Sequence, residues 1–376
     1  MTWLGDSSKP RLAPTTLRPS CLRAALRTRH RTSRRASAGC SPPSTDSWEG
    51  VAVLCPLTGT IGVYARVGFY SRKLHGSPAK ASTKAKTREP ELLAALQEAL
   101  DSPTPVSGVR IRASAAPFRN AAGKAAVTVV IQVDGRDIGF SQADGRFDAG
   151  VNLAIVAVDS VGDTIDTMTR TFTLPLRPDS HMQMVANGLR LAEQLSLPRG
   201  PHRLHIAAQD AVNKRVGTVD CDVDVPDFGK TTFTMSGLLL TSSRANATPS
   251  TKSERLQGLQ SILPGPPTVA RSFGRDESLT LMAEVYDRSR TPSAVNIVTT
   301  VRTADGAEVF RREGTRTGGE MKSATGVYRY LETVPLSGLA PGSYVLTVEA
   351  SSGGKPDSSI RRQVPIDIVA QEGSPV

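Results

Sequence analysis

From about residue 106 onward the chain is written in alternating apolar and polar positions, the period of β-strands. The stretches "LSLPRGPHRLHIAAQD" (195–210) and "LSGLAPGSYVLTVEASSGG" (336–354) carry the same pattern twice. Aligned on Gly200 and Gly342, they place Leu204 on Leu346, Ile206 on Val348 and Ala208 on Ala350. Strand side chains alternate between faces. Tyr344, Leu346 and Val348 therefore point one way, toward an opposing sheet, and Val345, Thr347 and Glu349 point the other.

The repeat extends beyond these two strands. "GVRIRASAAPFR", "AAVTVVIQVDG", a hairpin over 151–176 turning at Asp159–Asp163, and "RVGTVDCDVDVPDF" build a first unit. "ESLTLMAEVYD", a hairpin turning at Ala304-Asp305-Gly306, "GVYRYLETVPLSGLAPGSYVLTVEA" and "SSIRRQVPIDIV" repeat that order. Short strands and turn signals about every 8–12 residues suit immunoglobulin-like sandwiches. The expected fold is all-β: two tandem immunoglobulin/fibronectin type III-like β-sandwiches with a short helix and a disordered N-terminal segment. The helix falls where Leu92, Leu93, Leu96, Ala99 and Leu100 recur at helical spacing, ended by Asp101-Ser102-Pro103. In 179–197 a helical turn is expected before Gly188 and a strand after it. The resulting division is 1–60 basic segment, 61–105 strand "IGVYARVGFY", linker and helix, 106–242 first sandwich, 243–270 Pro/Ser-rich linker and 271–371 second sandwich. The linker is expected to lie against both sandwiches, since Leu256, Leu259, Ile262 and Leu263 need cover.

Charge changes this picture only at the N-terminus. The formal net charge is +11, but Lys9 and eight arginines against Asp6 place eight of those charges in residues 1–40. The remainder is nearly balanced and lacks the basic face with interleaved aromatics of a nucleic-acid binder, so no nucleic-acid partner is expected. Residues 1–60 show no periodic apolar pattern and no apolar run of a secretory signal. Their Arg, Ser and Pro richness fits a frameshifted or wrong start, a disordered basic tail or a targeting segment. No run approaches the ~18 apolar residues of a membrane span.

Candidate chemistry is sparse. Cys21, Cys40, Cys55 and Cys221 form no metal-type spacing, and Cys221 reads as a small buried apolar residue. Asp220, Asp222 and Asp224 share one strand face. Calcium needs oxygens converging on a point, so a solvated face is the first reading and a calcium contribution with loop partners the second. Asp134, Asp137, Asp144 and Asp148 could likewise form a calcium loop, although Asp-Gly turns arise for backbone reasons alone. His202 and His205 face opposite sides and make no metal pair. No nucleophile elbow, P-loop, dinucleotide fingerprint or H-E-x-x-H motif occurs. The expectation is therefore no catalytic, cofactor-binding or metal residues, no cofactor, and no enzyme activity.

"VYARVGFYSRK", "AKTREPELLAALQEAL", "RASAAPFR", "VVIQVDG", "TMSGLLLTS" and "RDESLTLMAEVYD" resemble bacterial von Willebrand factor A-related domain proteins, in the region that follows their A-type domain. The resemblance covers roughly residues 61–376. It implies an extracytoplasmic interaction role, with "VYARVGFYSRK" as the last strand of an A-type domain. The D-x-S-x-S metal loop of that domain is absent: Asp6-Ser7-Ser8 and Asp357-Ser358-Ser359 lack its spacing. The resemblance implies a protein partner outside the cytoplasm. A passive spacer supporting an A-type domain and a carbohydrate-binding accessory module are the alternatives. Exposed aromatics on one sandwich face would favour the sugar reading, and an apolar patch across the inter-sandwich groove would favour the protein reading.

Overall fold

The computed structural model describes residues 89–143, 145–251, 262–323, 326–353 and 359–370. The first sixty residues, the strand expected at 61–70, Asp144, Leu256 and Leu259 lie outside the described residues. What is described is an all-β chain of two tandem β-sandwiches with three short helices.

The first sandwich sets β1 (Ile111–Arg119), β2 (Ala125–Val133) and β6 (Leu189–Leu195) in one sheet. Facing it are β5 (Thr164–Leu176), β4 (Arg146–Asp159), β7 (Gly200–Asp210) and β8 (Val216–Val225), with the short β3 (Ser141–Ala143) beside β4. The second sandwich repeats the scheme. β9 (Phe233–Met235) and β10 (Leu239–Ser242) pair with β12 (Ser278–Asp287), which pairs with β15 (Val327–Pro335). The opposing sheet runs β11 (Ser272–Gly274), β17 (Ser359–Val369), β16 (Gly342–Ser352), β13 (Val295–Thr303) and β14 (Glu308–Arg316). The expected duplication holds for the main strands, β2 and β4 to β8 matching β12 and β13 to β17, whereas β3 and β11 have no counterpart in the other sandwich. Leu204, Ile206 and Ala208 are fully buried in the first core, and Leu346, Val348 and Ala350 in the second.

One boundary differs from the expectation. Residues 233–242, assigned to the first sandwich within 106–242, pair with β12 and belong to the second. An apolar run shows that a strand exists but not which distant strand receives its hydrogen bonds.

The segment after β5 folds as expected into α2 (Pro178–Asn187), and α3 (Gly318–Ser323) stands at the matching place before β15. Pro178 pre-sets the backbone angle for the first turn of α2. Gly188 ends it at φ +77°, and a Cβ there would sit 2.5 Å from the Val133 carbonyl oxygen. Only glycine combines that left-handed backbone with so close an approach. The expected first helix is α1 (Glu89–Leu100). Its Leu96 packs onto Ala154 and Ala207, small residues on the outer face of β4 and β7 that let the helix lie close.

The two sandwiches belong to one compact unit and meet through the outer faces of the three-stranded sheet of the first and the four-stranded sheet of the second. Ala116 and Val130 of the first pack with Leu239 and Met282 of the second, with Leu263 and Val269 of the linker among them. Gly237 donates to the Pro117 carbonyl at 2.8 Å, and a Cβ there would lie 2.8 Å from the Ala116 Cα. The Tyr286 hydroxyl accepts the Arg119 backbone N–H and donates to Glu284, while the Arg119 guanidinium stands 4.8 Å over its ring. The described part of the linker is held against the first sandwich by Arg190, which donates to the carbonyls of Ala245 and Thr248 and to the Ser250 hydroxyl. Burial brings the Arg190 pKa down to about 10, so the cation persists at neutral pH.

Candidate functional site

Turn chemistry builds one end of each sandwich in the same way. At the start of β16 the Tyr344 hydroxyl donates to the Ala340 carbonyl, four residues upstream, at 2.7 Å. This is the tyrosine corner typical of such sandwiches. The matching position in β7 is His202, whose Nε2 donates to the Pro198 carbonyl, again four residues upstream, at 2.8 Å. The bond is kept while the residue type changes, so comparison of residue types between the repeats does not reveal it. Nδ1 of this buried His202 has no hydrogen-bond partner.

Beside each corner lies a shallow hollow. The first, about 440 Å³, is lined by Gly123 and Lys124 from the β1–β2 turn, Pro198 and Arg199, and Asp227 and Phe228 beyond β8. Asp227 accepts a hydrogen bond from Arg199 and the backbone N–H groups of Gly229 and Lys230. The Arg199 bond leads in holding its carboxyl below the usual range. The second hollow, about 490 Å³, lies among Arg275, Asp276, Ser337, Pro341 and Ala370. These hollows are open, with Arg199 paired to Asp227 at the first and Asp276 paired to Arg244 at the second, which suits contact with a surface more than enclosure of a small molecule.

The carboxylates singled out from the sequence are spread apart. Asp220 and Asp222 do share an outer face, where Asp220 meets His205 at 2.8 Å and Asp222 meets Arg203 at 2.7 Å. Asp224 lies opposite Pro201. His202 lies in the interior while His205 faces out, as alternation requires. Asp134 and Asp137 are tied to Arg136 and Arg110 around a single 3-10 turn, Gly135–Asp137, which Asp134 caps. The hydrogen bond from Arg136 leads in bringing the Asp134 pKa down to about 2, against the opposing effect of burial. Asp148 sits in β4 opposite Ser141 and Pro175. Among the described residues no three of His, Cys, Asp and Glu converge on a point that could hold a metal. Burial pushes the Cys221 thiol up to about 11, the condition of an inert packed cysteine.

A further pair was not singled out from the sequence. On the open side of each sandwich an arginine of the edge strand reaches a glutamate of the opposite sheet: Arg170 to Glu193 at 3.8 Å, and Arg312 to Glu332 at 3.5 Å. Glu193 and Glu332 occupy matching positions before Leu195 and Val334, so a repeat-by-repeat comparison of charges could have found them.

The large exposed apolar side chains among the described residues are aliphatic. Val161 and Ile165 lie on the β4–β5 hairpin, Val309 on β14, and Met182, Val212, Leu331 and Val369 elsewhere. The inter-sandwich contact is filled by the chain's own apolar residues rather than left open. Among the described residues no helix is long and apolar enough to cross a membrane.

No family model matches the chain, and no curated protein matches it. Solved structures overlap it only loosely. The C-terminal domain of wzt is 12% identical over 39% of this chain and 85% of its own, at a TM-score of 0.24. A putative beta-galactosidase from Bacteroides fragilis is 10% identical over 65% of this chain and 33% of its own, at 0.25. Dimeric latent PorU from Porphyromonas gingivalis is 11% identical over 73% and 21%, at 0.24. Overlaps this slight carry no argument about the activity of this chain.

Proposed function

We propose that the chain is a non-catalytic protein-interaction module, acting outside the cytoplasm as the β-sandwich tail of a von Willebrand factor A-related protein. The observation that carries this reading is the junction between the sandwiches. Tyr286, Arg119, Gly237 and a shared apolar cluster hold the two sandwiches together, so loops on both are presented in a fixed relation. The aliphatic character of the exposed apolar side chains favours a protein surface over a sugar platform, which would offer aromatic rings. The extracytoplasmic setting and the family rest on the motif resemblance, of which "RASAAPFR" forms β1 and "VVIQVDG" the end of β2.

A passive spacer is the second reading, favoured by the same fixed junction. Photo-crosslinkers placed at Ile165 and Val309 of the full chain separate the two. The module reading expects one protein from an extracytoplasmic fraction to crosslink saturably and to be competed by unlabelled chain. Crosslinking that no competitor reduces would leave the spacer. Competition by a glycan instead of by the chain would point to the carbohydrate-binding module.

A further inference from the structure

The two sandwiches treat their corresponding edge strands differently. β14 spreads Glu308, Arg311, Arg312, Glu313 and Arg316 over nine residues and ties several into ion pairs. Such charges guard an edge against pairing with another chain. β5 is longer, thirteen residues, and carries only Asp166 and Arg170. It pairs with β4 along one side.

The groups on its other side identify themselves. The Thr167 backbone N–H donates to the Asp166 carboxylate at 2.9 Å, and the Thr169 carbonyl accepts from the Arg170 guanidinium at 3.2 Å. Both backbone groups therefore point away from β4, and each is covered only by a neighbouring side chain. Asp166 and Arg170 stand two residues to either side of Met168.

We propose that β5 pairs with β5 of a second copy of this chain, antiparallel and centred on Met168. That register sets Thr167 opposite Thr169 of the second copy, so the N–H of Thr167 and the C=O of Thr169 exchange intramolecular side-chain partners for ladder bonds. It also sets Asp166 opposite Arg170 of the second copy, and the two-fold axis makes this pair occur twice. Registers centred on Asp166 or on Arg170 bring Asp166 to Asp166 or Arg170 to Arg170, like charges directly opposite, which are disfavoured, and registers centred on Thr167 or Thr169 leave both charges facing uncharged residues. Arg170 remains 56% exposed while it reaches Glu193, so its other donors are available to the second copy. The product is one sheet running β8-β7-β4-β5 in the first copy and back through the second.

The test is sedimentation velocity of the full chain over about 1–100 µM, the range in which an interface of this modest size associates. A reversible dimer is expected. Thr169→Pro removes an N–H that faces away from β4, so the chain should still melt cooperatively while dimerisation weakens at least about tenfold. Asp166→Lys and Arg170→Glu each place like charges opposite in their own homodimers and should be monomeric. Mixed together they restore opposite pairs and should form a heterodimer. A monomeric wild type across the range overturns the proposal. So does a dimer that persists in all three variants, or a pair of folded charge variants that fail to associate when mixed.

Discussion

At the scale of single residues, the corner bonds and the acid-sensitive carboxylates make distinct expectations. Tyr344→Phe removes the hydroxyl that binds the Ala340 carbonyl and should cost about 1–1.5 kcal/mol of stability in urea unfolding. His202→Phe removes the matching bond but also the unpartnered Nδ1, so its cost should be the smaller. Equal losses would show that the orphaned nitrogen carries no penalty. Leu346→Ala truncates a fully buried side chain and should destabilise by ~2–5 kcal/mol, read as a lower melting temperature. Asp134 titrates below its unfolded value of ~3.9 because Arg136 binds the carboxylate. Its contribution is therefore complete above about pH 4 and disappears as pH falls toward 2. The arginines are exposed, so the effect is on the order of 1 kcal/mol or less. Asp134→Asn should flatten the acid limb of the stability profile, and an unchanged limb would assign it to other carboxylates.

At the scale of elements, the helix before β6 depends on one glycine. Gly188→Ala forces a Cβ onto the Val133 carbonyl at a left-handed backbone position. A cost of at least ~1–2 kcal/mol is expected from the backbone alone. Hydrogen exchange should show it as faster opening of α2 and β6, with β16 and β17 unchanged. Uniform exchange across both sandwiches would mean that they do not open as separate units. The edge strands show how the same element is used in two ways after duplication. β14 carries charge along its length, whereas β5 leaves threonines and backbone groups at the surface.

At the scale of the molecule, the junction decides whether two sandwiches behave as one body. Tyr286 is buried at the contact, with Phe228 edge-on at 5.3 Å and the Arg119 backbone bonded to its hydroxyl. Tyr286→Ala should cost about 3–5 kcal/mol as an aromatic truncation. Calorimetry should show the single transition of the wild type split into two, as each sandwich then melts by itself. One transition in the variant would mean that Arg190 and the apolar cluster suffice to couple them.

The sequence by itself determined the all-β class, the duplication, both hairpin turns and the helix-then-strand reading of 179–197, while Cys221, expected to be buried, is half-buried. Each determined feature is a local signal: period-two alternation, an Asp or Asp-Gly turn, helical spacing that ends at a glycine. The Asp159 carboxylate, for example, closes its turn by accepting the N–H groups of Val161, Gly162 and Asp163, all within four residues. Only the tertiary structure decided the rest. The strands at 233–242 joined the second sandwich because β12 supplies their hydrogen bonds. Asp220 and Asp222 became paired surface groups because β7 brings His205 and Arg203 opposite them. Tyr286 met Arg119, 167 positions away, because two sheet faces packed. Alternation states which side of a strand is apolar. It does not name the distant strand, helix or second sandwich that covers that side, because pairing energy depends on partners far away along the chain.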